Sequence, residues 1–217
     1  MDTGLTPAAF SPHEDLARLL LPHAADTTDG SHDLVHIHRV FRNAMRISAE
    51  EGGNADVLAA AVLLHDCVAV EKNSPLRAEA SRLAAEKASG ILTGLHWSAD
   101  ATDAVAHAIL THSFSANLAP QTLEAKILQD ADRLDAIGMI GVARCFYVAG
   151  RMGSKLYDPV DPKAEHRALD DRQYAIDHFP AKLLKLSQGF QTETGRLLAQ
   201  ARHDRLLRFL AEMNDEI

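Results

Sequence analysis

The chain has 217 residues, 47% of them hydrophobic and 24% charged, with a net charge of −8 when histidine is neutral. That length suits one sizeable domain, and that balance suits a soluble globular protein. No cluster of lysine or arginine offers a nucleic-acid surface, and no uninterrupted apolar run is long enough to cross a bilayer.

The two cysteines, Cys67 and Cys145, make no C-x-x-C pair and imply no disulfide framework. No basic segment followed by an apolar run opens the chain, so the sequence reads as that of a cytoplasmic protein without a signal peptide. Acidity still admits a small phosphorylated substrate, because a bound cation can supply local positive charge.

In chain order, Ser11-Pro12-His13-Glu14 has the form of a capping box with proline at the first helical position, and predicts a helix to about Leu21. A polar loop, Asp26 to Ser31, follows. Asp33 can cap a helix over roughly Leu34–Glu51, in which His36, Val40, Ala44 and Ile47 share an apolar stripe; Gly52-Gly53 ends it. Asn54 or Asp56 starts the next helix. Its residues Val57 to Leu64 are all apolar or small, the mark of a buried helix. That run stops on His65-Asp66, so a histidine and a carboxylate are delivered to the protein interior, where ionisable groups need partners or a metal.

Cys67 to Pro75 reads as a loop. A further helix carries Leu83, Ala84, Ala88, Ile91 and Leu92 on one side, and Ser98 can cap another over Ala99–Thr111. Pro120 breaks the chain. One long helix is predicted from about Thr122 to Val148, with Asp132 on the face of Leu128 and Met139. Tyr157 to Pro162 is a loop, and helical periodicity returns over about Ala168–Leu186 and Gln191–Met213. No segment alternates with period two and β-branched enrichment, so the fold class expected is all-α, one domain with its C-terminal helices packed on the core.

His36, His65-Asp66 and Asp132 therefore lie on three helices, each on or at the end of an apolar stripe. Together they offer two nitrogens and two oxygens to one divalent cation, leaving positions for water and a phosphate oxygen. Neighbouring helical residues diverge by about 100°, so His65 and Asp66 can share an ion only where the helix ends. The bland alternative for this pair is a buried hydrogen bond, and for His36 a satisfied core histidine.

This ordered set resembles the H…HD…D signature of the HD-domain superfamily of metal-dependent phosphohydrolases. The flanks His36-Ile37-His38-Arg39-Val40, Leu63-Leu64-His65-Asp66 and Ala131-Asp132-Arg133-Leu134 resemble it too. Lys72-Asn73-Ser74-Pro75, His112-Ser113-Phe114-Ser115 and Gln129 to Gly138 look like a small, stand-alone bacterial branch that includes nucleotide pyrophosphohydrolases. With the tail at Lys182-Leu183-Leu184 and Thr192 to Arg202, the resemblance covers nearly the whole chain.

The resemblance implies an HD-type helical bundle over 1–217, with a metal-binding core at about 26–150 and helices of 154–217 packed on it. It implies one divalent ion (Mn²⁺, Mg²⁺ or Fe²⁺) on His36, His65, Asp66 and Asp132, with Asp130 and Asp135 as rivals for the last place. Lys72, His112 and Arg133 are expected at the phosphates or leaving group, and Asp135 at a ligand or water. His107 and His112 leave a second ion open, and His32-Asp33 is read as a helix entry. The expected reaction is hydrolysis of nucleoside triphosphates to monophosphate and pyrophosphate. The alternatives are a nucleotide or sugar phosphomonoesterase and a non-catalytic nucleotide-binding module. The partner expected is a small phosphorylated molecule, a nucleotide, with no nucleic acid and no membrane. Exposed apolar faces on the C-terminal helices leave a homodimer open.

Overall fold

The computed structural model describes residues 5–24, 33–70, 79–113 and 118–217. Its helices are α1 (Glu14–Leu20), α2 (Leu34–Glu51), α3 (Ala55–Leu64), α4 (Ala80–Gly94), α5 (Ala99–His112), α6 (Leu123–Asp135), α7 (Gly138–Met152), α8 (His178–Ala181) and α9 (Glu193–Asp215). Among the described residues there is no strand, only one isolated parallel bridge between Lys155 and Tyr174. The fold is all-α. It divides into two compact units, Met1–Asp132 and Arg133–Ile217, with the boundary inside α6.

The first unit is built around α3. Asn54 starts that helix, its side chain accepting from the backbone N–H of Asp56 and Val57 at 3.1 Å. Every residue from Val57 to Leu64 is buried. Each valine or leucine so placed contributes about 1.5–3 kcal/mol relative to exposure. Helices α1, α2 and α5 pack on it, and α4 packs on α5. The turn between α2 and α3 uses two glycines with positive φ, Gly52 at 85° and Gly53 at 98°. Glu124 of α6 accepts from the Asn54 N–H at 2.7 Å, which ties the start of α3 to α6. At the chain start the capping box does not form. Ser11 stays extended, the helix begins two residues later than predicted, and the Ser11 hydroxyl bonds to the Glu14 carboxylate.

The second unit corrects two predicted helices. The helix predicted over 122–148 is two, α6 and α7, broken at Ala136–Ile137. Hydrogen bonds of the tighter i→i+3 type close the end of α6, from the N–H of Ala136 to the Arg133 carbonyl and of Ile137 to the Leu134 carbonyl. Two arginines hold the same end. Arg144 donates to both the Asp135 carbonyl (3.3 Å) and its carboxylate (3.2 Å), and Arg202 donates to the Leu134 carbonyl. Gly138 then takes φ 72°, and a Cβ at Gly141 would collide with the Ala136 carbonyl. Met139 consequently lies on α7, exposed, and does not share a face with Asp132.

The helix predicted over 168–186 is likewise absent. Arg167 forms a bidentate pair with the buried Asp177, at 2.5 and 2.8 Å, and lies over the Tyr174 ring at 4.7 Å. Asp177 also accepts from the Asp170 N–H at 2.7 Å. These bonds fold 158–177 into a compact loop, leaving only short 3₁₀ turns and α8, in which Pro180 offers no N–H. Thr192 caps α9 through the Gly195 N–H at 2.9 Å.

In that loop Asp158 accepts from the N–H of Val160 and Asp161 at 2.8 and 2.9 Å. Those bonds, the Tyr174 hydroxyl and Arg167 lower its carboxyl to a pKa of about 2. A depressed carboxyl contributes stability that is present above its ordinary value of 3.8 and is lost as pH falls through about 2. We expect Asp158 to titrate near 2 by NMR, and Asp158→Asn to remove that part of the loop's acid sensitivity; titration near 4 contradicts this.

Candidate metal centre

The end of α3 positions the first two groups. His65 keeps helical backbone angles (φ −58°, ψ −33°), and the chain then turns, with the Cys67 N–H bonded to the Leu64 carbonyl at 3.0 Å. Lys87 of α4 donates to the Cys67 carbonyl at 2.7 Å, and the Cys67 thiol contacts the Ala84 carbonyl at 3.5 Å. The turn that aims Asp66 is thus pinned to α4. Burial pushes both thiols, Cys67 and Cys145, up to about 11, so they are inert packing groups rather than ligands.

His36 enters from α2. The Asp33 carboxylate that caps α2 accepts from the His36 N–H at 3.0 Å, so the helix entry fixes the backbone of His36 directly. Its side chain is buried, with Nε2 at 3.3 Å from His65 Nε2, 3.6 Å from Asp66 Oδ2 and 3.5 Å from Asp132 Oδ1. His65 Nε2 is 3.5 Å from Asp66 Oδ2. His36, His65 and Asp66 form a ligand-capable cluster with donor atoms all within 4.8 Å of one another.

The proton positions follow from the acceptors. His65 Nδ1 is 2.7 Å from the Val62 carbonyl, and a carbonyl only accepts, so Nδ1 carries the hydrogen. Burial, ahead of the neighbouring charges, lowers the His65 pKa and keeps the ring neutral. Its bare Nε2 lone pair therefore faces another imidazole nitrogen and a carboxylate, an arrangement that calls for a cation. The spacing fits one. Two ligands about 2.1–2.2 Å from an ion, at angles of about 90–110°, lie roughly 3.0–3.6 Å apart.

His112, at the end of α5, repeats the pattern. Its Nδ1 donates to the Ile109 carbonyl at 2.6 Å, and its buried ring meets that of His65 edge-on at 5.1 Å between centroids. His107 is turned elsewhere, its Nε2 accepting from the Gln121 N–H at 3.0 Å. His38 packs against Phe10 and the Ala9 carbonyl. Asp130 is fully buried, whereas the Asp132 side chain retains 29% exposure. Lys72, Phe114 and His32 lie outside the described residues.

Arg133, expected at the phosphates, and Asp135, expected at a ligand or water, belong to the second unit. Arg133 donates to the Gly189 carbonyl at 2.7 Å and lies over the Phe190 ring. Asp135 is buried and paired with Arg144. Trp97 borders a cavity of about 550 Å³ together with His13, Leu16 and Asp56, and none of the clustered residues lines it. The sequence reading gave no role to Lys87, Asn43 or the Gln129 side chain. Their signal was weak, since a lone lysine or amide on a helix is usually a solvated face.

The HD domain family model matches residues 34–137. An HD-superfamily hydrolase from Bacillus thuringiensis is 31% identical and superposes with a TM-score of 0.73, over 94% of this chain and 97% of that one. The chain belongs to the HD-domain superfamily. Protein YpgQ of Bacillus subtilis (strain 168) is 34% identical over 190 residues, 86% of this chain and 84% of YpgQ. A structure of Bacillus subtilis YpgQ in complex with ADP superposes with a TM-score of 0.69 at 31% identity, over 93% of this chain and 94% of that one. As an HD-domain protein with a His-His-Asp cluster, the chain is a metal-dependent phosphohydrolase that binds a divalent cation. None of the helices described is long and apolar enough to cross a membrane.

Titration of metal-stripped protein with Mn²⁺ is expected to saturate at one ion per chain. His36→Ala and Asp66→Ala should each weaken binding at least ~10-fold, the scale seen on removing even an outer partner of a metal ligand. Wild-type affinity in either variant contradicts the assignment.

Proposed function

We propose that the protein hydrolyses nucleoside triphosphates to monophosphate and pyrophosphate, using one cation held by His36, His65, Asp66 and Asp132. The observation that carries the nucleotide class is the ADP complex of Bacillus subtilis YpgQ, a relative 31% identical over 93% of this chain. A donor set of two imidazoles and two carboxylates favours Mn²⁺ or Fe²⁺ over Mg²⁺, which prefers oxygen ligands alone. The chemistry a bound cation supplies there is polarisation of a phosphoryl oxygen and a more acidic water. Both units belong to one working HD-type domain, 1–217, in this reading.

The chain's own residues supply the rest. Val62 and Ile109 fix the imidazole tautomers of His65 and His112 through their carbonyls, so both rings present Nε2. In His65 burial favours the neutral ring, so that nitrogen offers a lone pair. His112 is the group proposed to carry a transferable proton there. Water forms the new bond at the α-phosphorus and gives its proton to solvent, the bond from that phosphorus to the bridging oxygen breaks, and His112 gives an Nε2 proton to the departing pyrophosphate and takes one back from solvent. Arg133 and Asp135 already hold partners, Gly189 and Arg144, so their proposed part is support of the α6 end. Lys72 is carried from the resemblance as a phosphate contact.

Product analysis tests this. Metal-loaded protein given ribo- and deoxynucleoside triphosphates should release monophosphate and pyrophosphate, and Asp66→Ala should not. His112→Gln is expected to lower kcat 10²- to 10⁴-fold, the range of general acid catalysis. Nucleoside and orthophosphate from monophosphates would replace the proposal with a phosphomonoesterase.

A further inference from the structure

Two side-chain amides reach the backbone beside the centre. Asn43, seven residues and about two turns after His36 on α2, donates its Nδ2 hydrogen to the Ala131 carbonyl of α6 at 3.1 Å. Gln129 of α6 donates its Nε2 hydrogen to the Thr111 carbonyl of α5 at 2.8 Å. The two acceptors immediately precede Asp132 and His112 in the chain. Gln129 also stands one turn before Asp132 on the same face of α6.

Packing alone does not call for these amides. Gln129 is 5% exposed and Thr111 2% exposed, so methionine or leucine would bury comparable surface. The Thr111 carbonyl lies in the last turn of α5, where the helix offers it no N–H. Gln129 satisfies it and, in doing so, ties α5 to α6 in register. Asn43 likewise ties α2 to α6, through a part-buried bond. An apolar contact slides at little cost, whereas a buried hydrogen bond has one geometry. The register matters because Asp132 Oδ1 and His36 Nε2, 3.5 Å apart, are carried by different helices, so their separation follows where α6 lies against α2. A ligand displaced by more than about 0.5 Å leaves the working range of a metal site.

We propose that Asn43 and Gln129 are positioning residues of the metal centre: they hold the Asp132 segment of α6 against α2 and α5. Asp132 thereby stays at ligand distance from His36, and His112 keeps its place relative to Asp132. This rests on the reading of His36, His65, Asp66 and Asp132 as the ligand set. Neither amide is assigned a contact with the ion or the substrate.

The test compares Gln129→Met, Gln129→Glu, Asn43→Leu and Asn43→Asp with wild type, Asp132→Ala and Leu92→Ala. Leu92 is a fully buried residue of α4, so its variant serves as a destabilised control. Mn²⁺ affinity is measured by calorimetry on metal-stripped protein well below the Tm of every variant, with Tm recorded in parallel. The clamp predicts a Kd raised about 10- to 100-fold in the amide variants. Leu92→Ala should keep the wild-type Kd while losing Tm. The kcat/KM of the amide variants at limiting Mn²⁺ should recover when the ion is raised to saturation, which a merely structural loss would not do. Wild-type Kd in the amide variants, with Asp132→Ala impaired, overturns the clamp alone. Wild-type Kd in Asp132→Ala overturns the ligand set and the clamp together.

Discussion

A bare imidazole nitrogen held inside the protein, facing a second imidazole and a carboxylate, is the constraint on which the first unit depends. Burial keeps His65 neutral, and its bond to Val62 decides which nitrogen is bare. Two imidazoles and a carboxylate at 3.3–3.6 Å from one another, with Asp132 3.5 Å from His36, would repel or leave lone pairs unsatisfied without a shared cation. The cost of bringing them together is offset by the apolar helix behind them. Eight consecutive buried residues of α3 anchor the base of the site, and the helix stops where the polar pair begins.

The surrounding architecture can be understood as the means of presenting those groups. Asp33 caps α2 on the N–H of His36, Lys87 and the Cys67 thiol pin the turn after Asp66, and Asn54 starts α3 at a fixed residue. Each is a polar contact to backbone, which fixes position more sharply than apolar packing does. The centre is thus set by caps and turns at helix ends, where side chains and main chain meet. The same logic runs through the second unit, where Arg144, Arg202 and Arg167 terminate or fold segments that periodicity alone would continue as helix.

Much of the first unit was legible because its signals are local. The caps Asp33, Asn54 and Ser98 and the stop at Gly52 act within three or four residues, and α2, α3 and α5 fall where those residues put them. The apolar run from Val57 to Leu64 and the polar pair after it announced a buried helix ending in a histidine and a carboxylate. Elements decided by distant partners were not legible. The break after Asp135 depends on Arg144, 9 residues from Asp135, and Arg202, 68 residues from Leu134. The absence of a helix at 168–186 depends on the Arg167–Asp177 pair, which a helical pattern cannot encode. Gly138 and Gly141 were the available hints, since a glycine pair three residues apart at a helix end often marks a turn and a close approach. Asn43 and Gln129 gave no sign because their acceptors are main-chain atoms of other helices.

The central claim is that one divalent ion sits among His36, His65, Asp66 and Asp132. Anomalous scattering from crystals equilibrated with Mn²⁺, recorded on both sides of the manganese edge, tests it most directly. The account predicts a single strong peak per chain, about 2.0–2.3 Å from His36 Nε2, His65 Nε2 and one oxygen each of Asp66 and Asp132. No peak at that place, or a peak on other side chains with these four left facing one another, would contradict it.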